Sequence, residues 1–226
     1  MNNQGLSPTL AAVVPTIPQN EACIIALKAA HQHLSTPIFN HSMRVYHYAQ
    51  WFTDNDPNIQ LPDAQSFDLQ TPTPDLIFLA SIFHDFGTAR CSHNDKEPLR
   101  FEVEGANAAV NLIRKHSYSS SSYREVWIAI ACHSSPHIAE HIGPLSRLIR
   151  LAVQTDFSII SKRKAHDLAE GLEMQFPRLD VEKTLSDEIV KQALERREKA
   201  PHVSWPWNLL RAYEEDPGWE GVNKEF

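Results

Sequence analysis

Five polar residues stand on stretches otherwise built for a protein interior: His41, His84, Asp85, His133 and Asp156. Imidazole and carboxylate groups together suit a divalent cation such as Zn2+, Fe2+, Mn2+ or Ni2+. A buried histidine beside an ionised aspartate is costly unless such a partner satisfies both. The cysteines, Cys23, Cys91 and Cys132, form no CxxC pair, so the set needs no thiolate. The chemistry open to it is that of a cation activating water, with side chains nearby to move protons.

The elements that must position these residues read as helices. PDLIFLASIFHDFGT, Pro74 to Thr88, predicts a short apolar helix ending in His84 and Asp85. Thr73 is its N-cap, Pro74 its first residue and Gly87 the glycine that stops it. Thr36 and Pro37 open a helix over 38–53, with His41, Val45, Tyr48 and Phe52 on one inward stripe. His47 falls off that stripe. Ser122 and Glu125 have the form of a capping box for a helix over 123–133. Val126, Ala129, Ile130 and His133 share its buried face. Gly143-Pro144 opens a helix over 144–161, where Asp156 interrupts the stripe Leu145, Leu148, Ile149, Ala152, Ile159 and Ile160. A carboxylate there needs a cation or strong hydrogen bonds.

A helix over 98–115 aligns Glu102 with Ala106, Ala109 and Ile113. Glu102 serves either the site or the helix dipole, as a first-turn acid. Further helices are expected over 20–34, capped by Asn20, and 181–199. His31 reads as a structural histidine. His166-Asp167, a second His-Asp pair, reads as a polar helix start rather than a site. With no strand alternation the fold class is all-α. Residues 1–19 are expected as an extended lead-in, 54–73 as a polar loop, and 20–226 as one domain. Its C-terminal extension, with Trp205, Trp207 and Trp219, packs back onto the body.

Composition narrows the function. A formal net charge of -7 argues against nucleic acid or an anionic membrane surface as partner. Seven glycines and no GxGxxG or GxxxxGK leave no phosphate-cradling loop. No apolar run reaches about 18 residues, so no membrane span is expected. An odd cysteine count without pairing motifs fits a reducing compartment. The expectation is a cytoplasmic protein acting on a small molecule, with homo-oligomerisation left open.

The order His41, His84-Asp85, Asp156 resembles the HD-domain superfamily of metal-dependent hydrolases and lyases. The resemblance implies an HD-domain helical bundle with those four residues as metal ligands. TPIFNHSMRVY (36–46), FHDFGTA (83–89), FEVEGA (101–106) and MQFPRL (174–179) look like the cyanamide hydratases, urea hydro-lyases of the HD type. That implies zinc, with Fe2+ or Mn2+ as alternatives, and hydration of cyanamide to urea. His133 is the candidate proton carrier, with Asp85 or Glu102 as alternatives. Phe83, Thr88, Phe101, Trp127 and His137 are the candidate substrate contacts. The rival readings are a nucleotide phosphohydrolase using Arg44, Arg90, Lys96 or Arg100, a hydratase of another small nitrile or isonitrile, and a non-catalytic interaction module.

Overall fold

Ten α-helices and no strand make up the regular structure among the described residues of the computed structural model, which are 8–55, 71–89, 97–158 and 165–218. Expectations for Cys91, Arg90, Lys96, Ile159, Ile160, Trp219 and the interior of the 54–73 loop lie outside them. The helices are α1 (Pro8–Val13), α2 (Glu21–His33), α3 (Thr36–Asn55), α4 (Pro74–Phe83), α5 (Phe101–Ile113), α6 (Ser120–Cys132), α7 (Pro144–Phe157), α8 (His166–Gln175), α9 (Val181–Glu195) and α10 (Trp205–Glu215). The architecture is an all-α bundle.

The apolar run from Leu76 to Phe83 is buried on every side, as a helix hydrophobic all round must be. It packs against α2, α3, α5, α6 and α7 and so lies at the centre. Everything at its C-terminal end is therefore delivered into the core.

Several local expectations shift. The lead-in is not extended where described: 8–16 forms α1 and a 3-10 turn, burying Val13 and Val14. Asn20 caps α2, accepting from the Cys23 amide at 2.9 Å. The cap of α6 is Ser119 rather than Ser122; its hydroxyl accepts the Ser122 amide at 3.1 Å. His47 is half-buried, its ring stacked on Phe176 at 5.9 Å. His31 is partly exposed, edge-on to Phe39, and the described start of α8 carries Asp167 in its first turn, where an acid favours the dipole. Burial pushes the Cys23 thiol up to about 12, with Asp75 adding to the effect, so this cysteine is a core thiol.

Gly87 does not end α4, which stops at Phe83; it sits in a 3-10 turn, Phe86–Thr88. Its requirement is close approach, because a Cβ there would lie 1.8 Å from the Phe101 carbonyl oxygen. Gly105 does the same from the other side, where a Cβ would meet the Phe83 oxygen at 2.7 Å. These two glycines let α5 press its backbone onto the turn that carries His84 and Asp85.

The C-terminal helices brace that turn. Gln192 of α9 donates to the Gly87 carbonyl at 2.9 Å. Lys199, 2 % exposed, donates to Glu104 of α5 at 2.7 Å. Breaking a buried pair from one side leaves an uncompensated charge. Lys199→Met is accordingly expected to lower unfolding stability by about 3 kcal/mol. Lys199→Met with Glu104→Leu should recover most of it, as checked by denaturant titration of the three chains.

Candidate metal centre

His84 and His133 reach the core by the same device. Each stands at the C-cap of its helix, where the last carbonyls have acceptor capacity to spare. The His84 Nδ1 donates to the Ser81 carbonyl and the His133 Nδ1 to the Ile130 carbonyl, both at 2.7 Å and both three residues back. His41 comes from the second turn of α3, where its Nδ1 donates to the Asp156 carboxylate at 2.7 Å. A carbonyl and an ionised carboxylate can only accept, so each Nδ1 carries the proton. Every neutral ring is thereby left with a lone pair on Nε2.

These lone pairs converge. The His41 and His84 Nε2 atoms lie 3.1 Å apart. The Asp85 Oδ2 lies 3.1 Å from the His84 Nε2 and 3.6 Å from the His41 Nε2. The His133 Nε2 stands 3.5 Å from the Asp85 Oδ1. Neither Asp85 oxygen accepts a hydrogen bond among the described residues, though the residue is buried. Two facing lone pairs and an orphaned buried carboxylate repel one another and lack a positive charge. His41, His84 and Asp85 offer ligand atoms all within 4.8 Å of one another. The donor set fits a divalent cation, held by two imidazoles and a carboxylate, with the outward hydrogen bonds that normally orient metal ligands.

Burial works against charge on His84, but the Asp85 carboxylate outweighs it and raises the imidazole pKa. Burial outweighs Asp156 at His41 and lowers its pKa. A proton and a metal ion compete for the same Nε2 atoms. Because His84 holds its proton to higher pH than an ordinary imidazole, metal occupancy is expected to fall as pH drops, first through His84. Equilibrium dialysis against a buffered metal across pH measures this.

Asp156, expected as the fourth ligand, stands at the far edge of the His41 ring. Its two oxygens accept from the Arg44 Nε and Nη2, each at 2.7 Å, as well as from the His41 Nδ1. This is a bidentate pair with both partners fully buried. Burial alone would raise the Asp156 carboxyl, but the Arg44 and His41 hydrogen bonds hold it well below the usual carboxylate range. In this arrangement Asp156 orients His41 rather than joining the cluster. Arg44, considered above as a phosphate-binding cation, is consumed here; it lies three residues beyond His41, on the same helical face. MQFPRL closes the arrangement from behind: Arg44 also donates to the Phe176 carbonyl at 2.8 Å, and Arg178 to the Asp156 carbonyl at 2.6 Å.

The remaining candidates separate. Glu102 is wholly buried but engaged, accepting from Arg100 and, at 2.5 Å, from Ser134. It supports the loop beside His133 rather than facing the cluster with free oxygens. Phe101 packs edge-on to His133 at 5.8 Å, the contact expected of a site wall. Phe83 is core, its ring against Phe86. The Thr88 hydroxyl donates to the Asp85 carbonyl at 2.7 Å, so it fixes the turn. Trp127 joins α6 to α5 through Asn107 at 2.9 Å. His137 is an exposed loop residue with φ 62°. Sequence reasoning missed Arg150 and Arg178; no local pattern marks a cation whose carboxylate or carbonyl partner comes from another segment.

The HD domain family matches residues 38–156, over half of the chain and the span from just before His41 to Asp156; the chain belongs to that family. The family is generally one of hydrolytic metalloenzymes, and the His41-His84-Asp85 cluster fits a divalent metal. Comparison with curated proteins finds no match.

Proposed function

We propose that the chain is a metal-dependent enzyme that adds water to cyanamide and releases urea. The observation that carries the metal chemistry is the convergence of Nε2 lone pairs on an orphaned Asp85 carboxylate. The resemblance of four motifs to those of cyanamide hydratases, and the consumption of Arg44 by Asp156, favour a small uncharged substrate over a phosphoester.

When bound, a divalent cation lowers the pKa of water and offsets developing negative charge. His41, His84 and Asp85 would hold it. Asp156, Ser81 and Ile130 fix the tautomers of the three rings. The water oxygen joins the carbon of N≡C–NH2, and one water proton must reach the nitrile nitrogen. With its Nδ1 engaged, His133 has only Nε2 with which to pass that proton. The isourea formed tautomerises to urea. The apolar body of α4 keeps bulk water from the ring edges.

His133→Gln is expected to lower kcat by about 10²–10⁴-fold with metal content retained. Urea release from cyanamide, run beside phosphate release from a panel of nucleotides, tests the reading. Urea alone supports it. Phosphate release without urea would replace it with the phosphohydrolase reading.

A further inference from the structure

A pocket of about 410 Å³ lies between the loop after His133 and the start of α10. That is the size of a small-molecule site. None of His41, His84, Asp85 or His133 lines it. Two guanidinium groups do, Arg100 and Arg150. Arg100 is fixed along one edge, by Nε and Nη2 on Glu102 with Nη2 also on Ser134 at 3.2 Å, and Arg150 is held on two sides, by Nε on Glu140 at 3.2 Å and Nη1 on the His133 carbonyl at 3.3 Å. The Arg100 Nη1 and Arg150 Nη2 make no hydrogen bond among the described residues. Arg150 is 3 % exposed, so its cation is held largely out of water beside the cavity.

The rest of the lining points the same way. The Ser135 hydroxyl and Asn208 amide bring further donors, and no carboxylate lines the pocket among the described residues. Glu102 and Glu140 stand behind the arginines. The α10 N-terminus, with its partial positive charge, opens onto the same space through Ser204 and Trp205. Trp205 supplies a flat apolar wall, and its ring lies tilted at 5.8 Å against Phe101, which in turn touches His133. Ile138, 56 % exposed, and Val203, 99 % exposed, stand at the cavity as uncovered apolar groups. Val203 has φ 64°, a conformation costly for a β-branched side chain.

We propose that this pocket binds a small organic anion, a carboxylate or phosphate monoester on a flat apolar body. Its charge meets Arg100 and Arg150 and its body lies against Trp205. The site stands apart from the metal cluster and does not depend on which reaction that cluster performs.

Calorimetric titration of the full-length, metal-loaded chain with phenyl phosphate and with benzoate tests this, with benzyl alcohol as the uncharged comparison. The expected result is saturable binding of one or both anions, at least about tenfold tighter than the alcohol. Asn208 is exposed, so Asn208→Asp keeps the fold and sets a carboxylate in the pocket. It should weaken the anion by about tenfold or more. Binding should persist in a His84→Ala chain shown by circular dichroism to be folded, because the anion is not on the metal. Phenyl phosphate alone identifies a phosphate site, and benzoate alone a carboxylate site. Equal affinity for the alcohol, indifference to Asn208→Asp, loss of binding with His84→Ala, or no binding at all would overturn the proposal. Urea release in the same chains reports separately on the reaction.

Discussion

Asp156→Ala is expected to cost about 3–5 kcal/mol of unfolding stability, the range for stranding one partner of a buried ion pair. Arg44 is fully buried, and Asp156 is the carboxylate its guanidinium meets on two nitrogens. At this chain length the loss corresponds to roughly 6–20 °C in Tm. The same substitution removes the acceptor that fixes the His41 ring. Loss of such an outer partner weakens metal binding by about 10–100-fold. The two effects separate in a double variant. Arg44→Met with Asp156→Leu removes both charges and should recover much of the stability, because an apolar pair of similar volume often replaces a buried ion pair without loss. Metal affinity should stay low, since His41 remains unanchored. Calorimetric melting of both chains, with metal titration of the double variant, checks both halves. Recovery of full metal affinity in the double variant would show that Asp156 acts on the fold alone.

Gly87→Ala is expected to cost about 3 kcal/mol or more, the upper end for forcing atoms into a packed interior. The added Cβ would lie 1.8 Å from the Phe101 carbonyl oxygen, which is backbone at the start of α5 and cannot rotate aside. Either α5 or the Phe86–Thr88 turn must move. That turn follows Asp85 directly and is held by Thr88 from within and Gln192 from without. Metal affinity should therefore fall along with stability. Gly171, by contrast, has open space where a Cβ would go. Gly171→Ala should leave Tm unchanged or raise it slightly, since alanine favours a helix interior. Thermal melts of the two alanine variants side by side distinguish a steric requirement from a general sensitivity to glycine replacement.

The legible part of this protein was set by local pattern. The apolar run ending in His84-Asp85, and the stripes carrying His41 and His133, each place a polar group inward within one helix. Periodicity alone is enough for that. The burial of Asp156 was legible for the same reason, but its task was not. Its partners, Arg44 and Arg178, lie on segments far from it in sequence, and spacing carries no information on how two helices meet. The same limit explains the substrate contacts. Thr88 serves its own turn and Trp127 serves the α5–α6 interface, choices fixed by facing rather than residue type. The glycines in FHDFGTA and FEVEGA stand out as motif members, but local pattern reads Gly87 as a helix stop. The contact that requires it belongs to another helix. Capping slipped in α6 because Ser119 to Ser122 all offer hydroxyls, and only the chain path selects the first.

The central claim is that His41, His84 and Asp85 hold a divalent metal on which activity depends. Elemental analysis of the purified chain beside His84→Ala, with urea release measured on the same samples, tests it most directly. The wild-type chain is expected to carry about one divalent ion, drawn from zinc, iron or manganese, as befits one such ligand set. His84→Ala is expected to lose nearly all of the ion and of the activity together. A fully active wild-type chain free of metal, or a His84→Ala chain that keeps its full complement, would contradict it.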